Sequence, residues 1–189
     1  MREPNLFSNA IDRVLLDETA IDARVRKLAA AISDDYADVE YGEDGLVLVG
    51  VLKGAFVFLA DLARRLTIPH HVDFIALSSY NQGTTTGEVR LIMDSRINVA
   101  DRHVLIVEDI VDTGYTLDYL QRTFAARNPA SLRTCVFLSK PDRRQVQVDI
   151  DYLGFEIPDV WVVGYGLDFG DRYRTLPYIG ALKKKIYEK

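Results

Sequence analysis

Cysteine is nearly missing: Cys135 is the only one in 189 residues. One thiol excludes an internal disulfide framework and suits a reducing compartment. It lies in an apolar run, where a cysteine is ordinarily a small core side chain rather than a nucleophile. No stretch approaches the roughly 20 apolar residues that a membrane-crossing helix needs. The opening residues, MREPNLFSNAIDRVLLDETA, lack the apolar centre of a secretory signal. Excess positive charge is also missing. The formal net charge of −5 disfavours sequence-independent nucleic-acid binding, though not a local basic pocket. Two nucleotide signatures, GxGxxG and GxxxxGK(S/T), do not occur. These absences lead to the expectation of a cytoplasmic protein that engages neither membrane nor nucleic acid.

What is present suits one domain with a sizeable core. Apolar residues recur at helical spacing from Ile21 to Tyr36, with Asp17 or Thr19 as candidate caps. LVLVGVL (46–52) is a continuous apolar run, as in a strand covered on both faces. Ala55, Phe58, Leu59, Leu62 and Leu66 predict a second helix, with Arg64 and Arg65 near its end and Pro69 beyond. Strands are predicted over 71–79, 88–95, 103–109 and 131–139, with shorter pieces at 150–156 and 160–164. Leu117, Leu120 and Phe124 form a helix face that ends at Asn128-Pro129, and the tail from Asp168 reads as loop. No internal repeat is visible. Strands alternating with helices predict an α/β fold, with a mainly parallel twisted sheet flanked by helices. Ligands of such sheets bind beyond the carboxyl ends of the strands.

The most informative of those ends is VLIVEDIVDTGYTL (104–117). Asp112, Thr113, Gly114, Tyr115 and Thr116 form a turn into a helix, where backbone N–H groups and hydroxyls can cradle an anion. Gly114 permits close approach of the backbone. Glu108 and Asp109 cannot bind phosphate. They can accept from sugar hydroxyls or help to hold Mg²⁺, so cradle and acids together suit a phosphorylated ribose. The plainer alternative is that the acids complement a helix dipole. Lys53 and Gly54 follow the first apolar strand and could face an anion, or be an ordinary solvated turn. Lys140 ends another strand and could snorkel to solvent. Trp161 could be core, and Asp168 and Arg174 surface charges.

The 104–117 motif resembles the phosphoribosyl pyrophosphate (PRPP) motif of the type I phosphoribosyltransferases. The chain as a whole, from about Leu16 to Ile179, is similar to the hypoxanthine (hypoxanthine-guanine) branch of that family. The resemblance implies one domain over 1–189, with a core at about 40–145 and a small hood built from the N-terminal segment and about 146–189. It gives Glu108 and Asp109 the ribose hydroxyls and Asp112 to Thr116 the 5′-phosphate. Lys53, Gly54 and Arg174 receive pyrophosphate, in a loop that often carries a cis peptide before the Lys. Lys140 then donates to the exocyclic oxygen of a 6-oxopurine, Trp161 stacks on the base, and Val162 and Asp168 contact it. Mg²⁺ is the implied cofactor, with Glu108, Asp109 and Asp168 as its carboxylates. Ser79, Tyr80, Thr86 and Gly87 match the family's lid. GDRY (170–173) departs from the commoner family wording.

The implied reaction transfers 5-phosphoribosyl from PRPP to hypoxanthine or guanine. It releases pyrophosphate and a nucleoside monophosphate, with Asp112 as the base that takes the purine proton. A homo-oligomer, dimer or tetramer, is also implied. Two other readings stand beside this one. The chain could be a regulator on the same fold that binds PRPP or nucleotides, or a transferase preferring xanthine or another base.

Overall fold

The computed structural model describes residues 9–39, 45–79 and 89–187. In chain order its elements are β1 (Ile11–Leu16), α1 (Glu18–Asp35), β2 (Leu46–Leu52), α2 (Phe56–Ala63), β3 (His70–Ser79), β4 (Val89–Met93), β5 (His103–Val111), α3 (Tyr115–Ala125), β6 (Ser131–Ser139), β7 (Tyr152–Glu156), β8 (Val162–Val163), β9 (Ile179–Leu182) and α4 (Lys184–Tyr187). A single 3₁₀ turn, Pro141–Arg143, follows β6.

Apolar alternation sorts the core into two layers. On β2, Leu46 and Leu48 pack with Ile21, Val25, Leu28 and Ile32 of α1 and with Phe58 and Leu62 of α2. Val47, Val49 and Val51 face the other way, onto Leu117, Leu120 and Phe124 of α3. A strand covered on both faces has no solvent side, which explains its unbroken apolar run. Asp17 caps α1, its carboxylate accepting from the Ala20 N–H at 2.8 Å.

The main sheet has the order β4-β3-β2-β5-β6-β7. Neighbours run parallel except β4, which returns antiparallel on β3. A second, antiparallel sheet, β1-β9-β8, joins the chain ends. Three expectations need correction. The hood boundary near 146 is too early, because Tyr152–Glu156 adds to the main sheet beside β6. Ile11–Leu16 and Ile179–Leu182, not predicted as strands, pair with each other. Their partners lie at opposite ends of the chain, and no local pattern advertises that. Finally, β5 runs two residues past its expected end at Asp109, to Val111, so Glu108 and Asp109 lie inside the strand rather than at its last turn-facing positions. Among the described residues no helix is long and apolar enough to cross a membrane.

Candidate active site

The carboxyl ends of β2, β5 and β6 meet at one rim of the sheet, and Lys53, Asp112 and Lys140 sit just beyond them. The turn after β5 enters α3 through Gly114, whose φ of +97° is closed to most side chains. A Cβ there would also stand 2.5 Å from the Val146 carbonyl oxygen. That carbonyl belongs to a segment strapped to the turn: Gln145 and Val146 donate their N–H groups to Thr113 O at 2.9 and 3.1 Å. A hollow of about 70 Å³ is lined by Glu108, Asp112, Thr113, Gly114 and Thr116. Tyr115 opens the helix itself.

To one side lies a cleft of about 480 Å³, lined by Asp109, Ile110, Asp112, Lys140, Arg143, Trp161, Val162, Leu167 and Asp168. Lys140 does not snorkel. It is 6% exposed, and its nearest carboxylate, on Asp159, is 3.7 Å away. Trp161 is not core; 45% of it is exposed, and its ring meets the Phe169 ring edge-on at 5.3 Å between centroids. Arg143 crosses the mouth, with Nε 2.7 Å from Asp112 Oδ1 and Nη1 3.4 Å from Asp159 Oδ1.

On the other side a hollow of about 230 Å³ is lined by Lys53, Gly54, Ser78, Glu108, Asp109, Thr116, Asp168 and Arg174, among others. The Leu52–Lys53 peptide is cis. Gly54 lies so close to β5 that a Cβ would fall 1.6 Å from Asp109 Oδ2. Lys53 and Arg174 converge here, and Asp171 bridges them, 3.0 Å from Lys53 Nζ and 2.9 Å from Arg174 Nη2.

Glu108 is buried, and its Oε2 has no hydrogen-bond partner. Burial, then the adjacent Asp109 charge, pushes its carboxyl well above the usual range. Burial raises Asp109 too, against hydrogen bonds that pull it down. An unpartnered buried acceptor is costly in a ligand-free protein, and a ligand hydroxyl would satisfy it. Among the described residues no group of three or more His, Cys, Asp or Glu side chains is placed to hold a metal ion by itself. The expected set of Glu108, Asp109 and Asp168 is therefore no closed protein cage. That fits Mg²⁺, which usually binds through one or two hard carboxylates plus substrate phosphates. Asp168 is engaged meanwhile, Oδ1 with Arg174 at 2.7 Å and Oδ2 with the Asp171 N–H at 2.7 Å.

Of the expected lid, Tyr80, Thr86 and Gly87 lie outside the described residues, and Ser79 is described only as the last residue of β3. Arg143 lines the cleft, Asp159 pairs with Lys140 and Arg143, and Asp171 pairs with Lys53 and Arg174; none of the three was anticipated. In sequence each is one more surface charge, and only the fold brings it to the rim. Cys135 is fully buried and its thiol pushed up by burial, which removes it as a nucleophile.

The family profile described as "Phosphoribosyl transferase domain" matches residues 14–170. The chain is 47% identical over 187 residues to a hypoxanthine-guanine phosphoribosyltransferase of Mycobacterium avium, covering 97% of this chain and 92% of that protein. It is 46% identical over 170 residues to a hypoxanthine phosphoribosyltransferase of Haemophilus influenzae, covering 89% and 94%. Among solved structures, a hypoxanthine phosphoribosyl transferase of Trypanosoma cruzi superposes with a TM-score of 0.90 at 42% identity, covering 97% of each chain. A Staphylococcus aureus hypoxanthine phosphoribosyltransferase gives 0.90 at 39% identity, covering 99% and 100%.

Proposed function

The chain belongs to the phosphoribosyltransferase family, and on that premise we propose that it serves purine salvage, transferring 5-phosphoribosyl from PRPP to hypoxanthine and guanine. The C1–O bond to pyrophosphate breaks, the bond from C1 to the purine nitrogen forms, and the purine proton leaves. The products are a nucleoside 5′-monophosphate and pyrophosphate. The observation that carries this reading is the buried Lys140 ammonium beside the exposed Trp161 face, in one cleft with the anion-cradling turn. A buried cation whose one ion-pair partner among the described residues is a carboxylate 3.7 Å away retains protons for a ligand acceptor. A 6-oxo group accepts; the 6-amino group of adenine would leave the ammonium poorly paired.

This reading gives each residue a task that its place supports. Trp161 offers a stacking face, worth roughly 1–3 kcal/mol per base elsewhere, and Val162 and Asp168 border the base edge. Asp112 to Thr116 hold the 5′-phosphate through N–H groups and hydroxyls. Glu108 and Asp109 take the ribose hydroxyls, Glu108 with its unpartnered oxygen. Lys53, Gly54 and Arg174 hold the pyrophosphate end. Positive charge grows on the ribose as pyrophosphate departs, as in glycoside cleavage, and fixing both ends aligns C1 with the purine nitrogen. Asp112 accepts the purine proton. Arg143 keeps that carboxylate at the cleft mouth until the base arrives. Mg²⁺, carried by Asp168 and the Glu108–Asp109 pair together with substrate oxygens, would supply neutralisation of the leaving group.

The same reading places the enzyme in the cytoplasm, without nucleic-acid or membrane partners. It makes the protein a homo-oligomer, dimer or tetramer, for which exposed Val72, Ile92 and Met93 on neighbouring strands offer apolar surface. The test is a panel of hypoxanthine, guanine, xanthine, adenine and uracil at saturating PRPP and Mg²⁺, followed spectrophotometrically. Turnover with the first two is expected. Turnover with none, alongside retention of RNA on filters, would make the chain a regulator instead.

A further inference from the structure

Asp171 has no task in this reaction, yet it sits on both cations assigned to pyrophosphate. Its Oδ1 and Oδ2 lie 3.2 and 3.0 Å from Lys53 Nζ, and Oδ1 accepts from Arg174 Nη2 at 2.9 Å. The backbone delivers it there. Gly170 and Asp171 both have φ of +61°, and Phe169 and Arg172 exchange N–H···O bonds of 3.2 and 3.3 Å across them. Two positive φ angles in a two-residue hairpin are the signature of a type I′ turn, which glycine enters freely and aspartate tolerates. Asp168 Oδ2 accepts the Asp171 N–H at 2.7 Å and braces the turn. The departure of GDRY from the family wording thus has a structural form: a tight hairpin with a carboxylate at its tip.

Arg174 spends Nη1 on the Gly166 carbonyl at 2.8 Å, and both near contacts of Nη2 are carboxylates, on Asp168 and Asp171. Lys53 meets only Asp171 among the described side chains. A pyrophosphate that takes up these cations competes with Asp171 for the same protons and meets its negative charge. Both Lys53 and Asp171 are mostly exposed, and exposed ion pairs contribute little to stability, so holding the fold together does not account for the pair.

Resting on the assignment of Lys53 and Arg174 to pyrophosphate, we infer that Asp171 is a built-in anion that occupies the pyrophosphate cations in the empty enzyme. It yields when the ligand's pyrophosphate arrives and returns when it leaves. It thereby loosens the pyrophosphate end of the site without touching the purine end, which favours departure of the inorganic product.

The experiment uses the full chain with Asp171→Asn and Asp171→Gly. Asparagine keeps the shape, and glycine keeps the turn while removing the side chain. Calorimetric titration with pyrophosphate and Mg²⁺ should show about two- to fivefold tighter binding in both variants, the scale of exposed ion pairs. KM for PRPP should fall in parallel while KM for hypoxanthine stays put. A gain of affinity confined to one substrate is not what a merely structural residue would give. Unchanged or weaker pyrophosphate binding in both variants, with wild-type binding and turnover intact, overturns the role of Asp171 alone. Failure of the wild-type chain to bind pyrophosphate or PRPP overturns the underlying assignment, and this inference with it.

Discussion

Glu108 shows what a binding site costs at the scale of one residue. It is a buried carboxyl next to a second acid, with one oxygen unpartnered. Both circumstances favour its neutral form. Glu108→Gln should therefore stabilise the ligand-free protein by roughly 1 kcal/mol, about 2–4 °C in melting temperature for a chain of this size, while weakening PRPP binding; melting curves and a PRPP titration read both. A carboxyl whose folded pKa is raised binds its proton more readily when folded than when unfolded. Ligand-free stability then falls as pH climbs from the unfolded carboxylate range towards the raised folded value, and the Gln variant should lose that slope. Asp112 makes the contrast. It is half exposed and ion-paired to Arg143, so its loss threatens chemistry rather than the fold. Asp112→Asn should lower kcat by about 10²–10⁴-fold, the usual range for a general base, with a much smaller change in PRPP binding. Near-normal turnover of the purified variant would remove Asp112 from that role.

Elements act through their ends. The parallel strands β2, β5 and β6 finish at one rim, and each hands over to a turn whose shape a glycine or a cation decides. The turn into α3 is the most exacting. Its Gly114 has positive φ, and backbone lies where a side chain would begin. Gly114→Ala should cost about 1–3 kcal/mol in stability, as strained backbone does. It should also raise the Kd for PRPP at least as much as any single contact to the 5′-phosphate would. Denaturation curves together with a PRPP titration check this, and an alanine variant that binds PRPP normally would show that the turn does not cradle the phosphate. The hood element works differently. Trp161 immediately precedes β8, which pairs with β9, so the placement of its exposed ring, and of the stacking face proposed for it, depends on a sheet joined by the far end of the chain.

At the scale of the whole molecule the cleft lies where the main sheet meets the smaller hood sheet. The main sheet has a double-sided core. The hood sheet has a small cluster of its own around Val163, Leu176 and Leu182, while its Val162 and Ile179 join the main core. Both clusters of that core are apolar, and among the described residues no group of three or more His, Cys, Asp or Glu side chains gathers to hold an ion. EDTA should therefore abolish turnover while leaving the melting temperature unchanged, and Mg²⁺ should restore activity. A melting temperature that fell with chelation would mean that the ion is structural.

The sequence by itself determined the α/β alternation, the double-sided β2, the glycine turn after β5 and the type of each chemical group at the strand ends. These are local properties: apolar period, glycine at a turn, charge after an apolar run. The positions of Glu108, Lys53 and Lys140 could be read for that reason, and LVLVGVL became the strand its pattern predicts. Only the tertiary structure decided that Ile11–Leu16 pairs with Ile179–Leu182, that Tyr152–Glu156 belongs to the main sheet, and that Lys140 is buried while Trp161 is exposed. It also decided that Arg143 meets Asp112 and Asp171 meets Lys53. Pairing between distant segments and the depth of a side chain depend on which surfaces the folded chain presses together, and no short window of sequence carries that information.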